Sequence, residues 1–119
     1  MGRAEGLGLN YHARDFKRGP ANAPVFILAG HFGIGRAMAA VLWNLYATQR
    51  PISDWRLAIM SGVTSVKALE VHISRLRQVM PIAYRENGRY CLSADGRETV
   101  RTVLWAATRE LSALTASAA

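Results

Sequence analysis

Between Ser65 and Pro81 the apolar residues Val66, Leu69, Ile73, Leu76 and Met80 recur at spacings of 3, 4, 3 and 4. At 100° per residue they fall within about 80° of one another, a pattern a helix can turn toward a core and a strand cannot. The spacing predicts a helix over residues 65–80, with Thr64 or Ser65 capping its first amides and Pro81 ending it for want of an N–H. The opposite face follows from the same geometry. Lys67, Val71, Ser74 and Gln78 cluster about 180° from Leu69, with Arg75 on one flank and Glu70 and Arg77 on the other. His72 lies about 60° from the stripe, where a packing or phosphate-bonding histidine is expected. The outward face is therefore basic and rich in hydrogen-bonding groups.

The segments around this helix carry their own signals. Residues 1–23, rich in Gly, Ala, Asn and Arg, read as a flexible basic arm, with Leu7, Leu9 and Tyr11 a short strand at most. Residues 25–29 form a compact apolar run after Pro24 and read as a strand. Gly30, Gly33 and Gly35 would then turn the chain into a helix over residues 35–48, whose stripe of Met38, Leu42, Leu45 and Gln49 is widened by Val41 and Tyr46 and halted by Pro51. A short helix should follow, capped by Ser53 and ending near Met60 at Gly62. Residues 82–86 and 89–93 read as two strands joined by Asn87-Gly88, the strongest short signal for a type I′ hairpin. Tyr84, Tyr90 and Leu92 would anchor it, Glu86 and Arg89 would pair across it, and Arg85, Asn87 and Arg89 would project at its tip. Asp95-Gly96 should end the sheet. A final helix over residues 97–116 carries Val100, Val103, Leu104, Ala107, Leu111 and Leu114 on one face. Trp105 falls off that stripe with Arg101 and Arg109 at i±4, a partner-binding candidate.

Composition narrows the function. The 119 residues suffice for about one domain, and 15 Lys and Arg against 8 Asp and Glu give a net charge of +7. Thirteen of the 15 cations are arginine, whose planar fork suits phosphate and guanine. Residues 65–94 carry Lys67, Arg75, Arg77, Arg85 and Arg89 against Glu70 and Glu86, whereas residues 95–119 balance Arg97, Arg101 and Arg109 against Asp95, Glu98 and Glu110. Residues 1–30 and 31–64 add +2 each, so the largest share of the excess, +3, sits on the predicted helix and hairpin, as a nucleic-acid footprint would. The longest uncharged stretch, residues 19–35, contains Pro20 and Pro24 and is too interrupted for a membrane span. The first dozen residues lack an apolar signal core, so a cytoplasmic, nucleoid-associated protein is expected. Cys91 is the single cysteine, which leaves no disulfide or CxxC pair, and His12, His31 and His72 have no His or Cys at metal-ligand spacing. We expect no metal, no cofactor and no enzymatic activity, because no nucleophile, base or metal cluster is apparent.

Helix, helix, short turn, helix and hairpin is the order of a winged helix-turn-helix. The run Leu69-Glu70-Val71-His72-Ile73-Ser74-Arg75-Leu76-Arg77, followed by Tyr84-Arg85, Gly88 and Tyr90, resembles the recognition helix and wing of the OmpR/PhoB-type DNA-binding domain. The resemblance implies a mainly α domain over residues 24–94 with a small β-hairpin, from which the chain is expected to depart in standing alone without a receiver domain and in adding a C-terminal helix over residues 95–119. It implies a sequence-specific regulator of transcription that binds double-stranded DNA. Thr64, Ser65, Lys67, Val71, His72, Ser74, Arg75, Arg77 and Gln78 would enter the major groove. Arg85, Asn87 and Arg89 of the wing would meet the backbone or minor groove. With only residues 61–64 between the reading helices, repression or architectural binding is expected over direct activation of RNA polymerase. The final helix would either close the core or form a homodimer seam. The alternative is a winged module that binds RNA polymerase or another regulator, with Arg101, Trp105 and Arg109 as its contact.

Overall fold

The structure, a computed structural model, describes residues 23–79 and 83–118. Its elements are α1 (Ala23–Phe32), α2 (Arg36–Thr48), α3 (Asp54–Ser61), α4 (Val66–Val79), β1 (Ala83–Glu86), β2 (Arg89–Leu92) and α5 (Ala94–Ala118). The described chain is thus mainly helical with one small antiparallel sheet. The basic arm and its possible strand lie outside the described residues, as do Met80, Pro81 and Ile82.

The run predicted as a first strand is instead helix α1. Five apolar residues do not by themselves separate a buried strand from a buried helix. Here the deciding contacts are Val25, Leu28, Ala29 and Phe32, an i, i+3, i+4, i+7 set that packs on the core. Pro24 is tolerated because it sits in the first turn, where no intrahelical N–H bond is lost. Gly33, at φ 64°, closes the helix in the left-handed region.

The core lies where α2 meets α4. Val41, Leu42 and Leu45 of α2 and Leu69, Ile73 and Leu76 of α4 are all buried. Leu28, Leu57, Tyr90, Leu92 and Val100 belong to the same cluster, so all five helices and β2 contribute to it. Gln49 departs from the sequence expectation. Rather than continuing the α2 stripe, it is exposed and ends the helix in the left-handed region at φ 62°.

The sheet has the expected register, with Glu86 opposite Arg89 and Arg85 opposite Tyr90. Asn87 and Gly88 both have positive φ, 54° and 74°, as a type I′ turn requires. A third segment joins on the far edge of β2. Ile52 and Tyr90 exchange both backbone hydrogen bonds at 2.9 Å, tying the α2–α3 connection to the hairpin.

Asp95 and Gly96 do not terminate the sheet in a turn but lie in the first turn of α5. Ser93 makes this possible, its hydroxyl accepting from the Gly96 amide at 3.0 Å. Arg97 then donates to the Tyr46 carbonyl at 2.9 Å and to the Leu45 carbonyl at 3.4 Å, satisfying the orphan end of α2. Val100 is buried, and Val103 and Leu104 pack against the core, while the Leu111 and Leu114 side chains lie outside the described set. Among the described residues no single helix is long and apolar enough to cross a membrane. The α1–α2 pair would pass by composition alone, but it is bent by 116°.

A prediction follows from Gln49. Left-handed φ costs an L-residue about 1–2 kcal/mol, and glycine relieves it less about 0.4–1 kcal/mol of added unfolded-state entropy. Gln49→Gly should therefore raise stability by about 0.5–1 kcal/mol in urea unfolding monitored by circular dichroism.

Candidate nucleic-acid interface

The turn between α3 and α4 is short because Gly62, at φ 72°, closes α3 in a Schellman arrangement. Its amide reaches the Ile59 carbonyl at 3.1 Å, and the Val63 amide reaches the Ala58 carbonyl at 2.9 Å. Asn44 of α2 donates to the Ser61 hydroxyl at 3.1 Å, so the end of α3 is also held from the side. At the start of α4 the Ser65 hydroxyl accepts from the Ala68 amide at 3.1 Å, as the sequence predicts. Ser53 at the start of α3 departs from the prediction and makes no side-chain cap. Asp54 takes that role one residue later, accepting from the Trp55 amide at 2.6 Å.

With Leu69, Ile73 and Leu76 buried, the rest of α4 turns outward. Lys67, Glu70, Val71, Ser74, Arg75 and Gln78 are exposed and line one shallow depression of about 350 Å³. Five of these are residues singled out from the sequence. Val71 is 44% exposed at its centre, an apolar spot among polar neighbours. Thr64 and Ser65 are exposed at the N-terminal end, and Arg77 is exposed on the flank outside the depression. His72 is turned partly inward. Its Nδ1 is buried and lacks a hydrogen-bond partner among the described residues, so it does not join the outward set.

The three hairpin residues separate. Asn87 is exposed at the turn. Arg85 folds back on the protein, donating to the Gly88 carbonyl at 3.2 Å, stacking 4.7 Å from the Tyr90 ring centroid and lying 3.9 Å from Asp54. It braces the hairpin against α3. Arg89 borders a different cleft, beside Arg50 and Arg56. On α5, Arg101 is engaged by Glu98, whose hydrogen bond and charge hold the guanidinium above its ordinary pKa. Trp105 is 61% exposed, and Arg109 is exposed too.

Sequence reasoning missed an apolar patch on α3. Trp55 and Ile59 are 58% and 68% exposed, and Met60 is also exposed. Their i, i+4 spacing away from Leu57 was legible. The Ile52–Tyr90 bridge was not, because one bridged residue leaves no alternating pattern.

Among the described residues no group of three or more His, Cys, Asp or Glu side chains is placed to hold a metal ion. Cys91 is buried and free, 3.8 Å from a Glu86 carboxylate oxygen. No protein-family model, curated protein or solved structure matches this chain.

The contrast between the two serines can be measured. Ser65→Ala should cost about 1 kcal/mol, the ordinary loss for a cap, while Ser53→Ala should change unfolding free energy by only a few tenths. Equal losses in the two variants would contradict the capping assignment.

Proposed function

We propose that the protein is a winged helix-turn-helix regulator of transcription that binds double-stranded DNA. The recognition element in this reading is α4, with the β1–β2 hairpin as its wing and α3 as the first helix of the pair. The observation that carries it is the exposed row Lys67, Val71, Ser74, Arg75 and Gln78, backed by the buried ridge of Leu69, Ile73 and Leu76. A cationic helix held rigidly from behind suits a major groove, where Arg and Gln read guanine and adenine edges and an apolar side chain meets a thymine methyl. The likeness of residues 69–77 to OmpR/PhoB-type recognition helices supports the same assignment. A tight turn in place of a longer activating loop favours repression or architectural binding inside the cell, on the nucleoid.

The direct test is titration of a random duplex between about 50 and 200 mM salt, where a protein neutralising several phosphates weakens steeply. No binding at low salt would overturn the proposal. Arg75→Ala should lower affinity for all sequences, and Gln78→Ala should relax sequence preference by about 1–3 kcal/mol at one base pair. Gel-shift affinities unchanged in both variants would reject α4 as the reading element.

Helix α5 supports a homodimer. Its apolar stripe extends from Val100 past the core to Ala107 and, in sequence, to Leu111 and Leu114, and paired recognition helices are what a palindromic site requires. Sedimentation should give a dimer at micromolar concentration, and a monomer at high concentration would remove this element. A second reading, a module that binds RNA polymerase or another regulator, draws on exposed Trp55 and Ile59 of α3 and Trp105 of α5. Duplex binding absent at every salt concentration would favour it.

A further inference from the structure

The cleft beside the α2–α3 connection has a composition that neither the α4 face nor the α5 seam shares. It measures about 360 Å³, and Arg50, Arg56 and Arg89 line it together with Thr48, Ser53 and Met60. The three arginines come from the connection, the first turn of α3 and the start of β2. The two hydrogen bonds between Ile52 and Tyr90 bring these segments together.

Among the described residues no carboxylate lines the cleft. Asp54 is committed to the Trp55 amide and to Arg85, and Glu86 is approached by Cys91. Arg50, Arg56 and Arg89 have no ion pair among the described residues. Three arginines bordering one cleft raise the local positive potential and favour an anion there. The neutral donors are also in place. Ser53 makes no cap, so its hydroxyl is available at the cleft wall. Planar guanidinium forks bind phosphate oxygens in pairs.

We propose that this cleft is a phosphate-binding site separate from the α4 reading face. The phosphate comes either from the duplex backbone, in which case the site rests on the DNA-binding reading, or from a free polyphosphate-bearing molecule, in which case it stands independently. A duplex phosphate held here would fix the register of α4 in the groove. A free ligand held here would compete for the same arginines and regulate binding.

The test uses the full chain and the double variant Arg50→Ala/Arg56→Ala, with Lys67→Ala/Arg75→Ala as a control of equal charge loss. Inorganic tripolyphosphate is titrated by calorimetry, and a random duplex is titrated across salt. For a free ligand, tripolyphosphate affinity falls about tenfold or more in the cleft variant and stays near wild type in the control. For a backbone phosphate, the cleft variant loses about 0.9 from the logarithmic salt slope per contact removed, with tripolyphosphate binding indifferent to the substitutions. Either result supports the site. Equal losses of tripolyphosphate affinity in both variants, or no change in either titration, overturn it. If wild type ignores the duplex yet loses tripolyphosphate only in the cleft variant, the DNA reading fails and the cleft stands.

Discussion

Burial of the Leu69, Ile73 and Leu76 ridge against Val41, Leu42 and Leu45 is the contact from which the rest of the molecule takes its geometry. Removing six aliphatic side chains from water, at about 1.5–3 kcal/mol each, dominates any single surface interaction available to this chain. Because the ridge occupies one side of α4, the remaining side chains have no choice of direction. Lys67, Ser74, Arg75 and Gln78 point outward as a consequence of hydrophobic packing, not of any attraction among themselves. A charged face produced in this way is rigid, and rigidity is what allows side chains to discriminate among base edges.

A second constraint is the pairing of Ile52 with Tyr90. It turns a two-stranded hairpin, marginal by itself, into a small three-segment sheet seated on the core. It also draws Arg89 toward Arg50 and Arg56 and leaves Arg85 to pack on Tyr90 and approach Asp54. The basic residues of the hairpin therefore divide between a bracing contact and the border of a cleft, although their sequence positions look equivalent. Arg97 has a similar structural task on α5, closing the carbonyl end of α2.

The parts legible in the sequence were those with a local physical signature. The 3–4 periodicity of α4, the Asn87-Gly88 turn and the Ser65 cap each depend on residues a few positions apart, and each appears where its chemistry demands. The outward membership of Lys67, Val71, Ser74, Arg75 and Gln78 followed from the same periodicity. The misreadings arose where local signals are ambiguous or distant contacts decide. Residues 25–29 are apolar on every side, so strand and helix were equally compatible until α2 and α5 supplied a surface for Leu28 and Phe32. Asp95-Gly96 resembles a turn, yet Ser93 and the distant Leu45 and Tyr46 carbonyls recruit it into a helix. His72, expected from its place beside the stripe to pack or to bond phosphate, turns Nδ1 inward. The arginine cleft joins positions 50, 56 and 89, and no spacing rule links them.

The central claim is that α4 meets duplex DNA with the face its own packing leaves free. Chemical-shift mapping of the full chain on addition of a duplex at low salt addresses it most directly. The largest changes are expected at Lys67, Val71, Ser74, Arg75 and Gln78 and at the hairpin turn, with little change at Leu69, Ile73 and Leu76. Changes confined to α3 or to Trp105 on α5, with α4 unmoved at saturation, would contradict it.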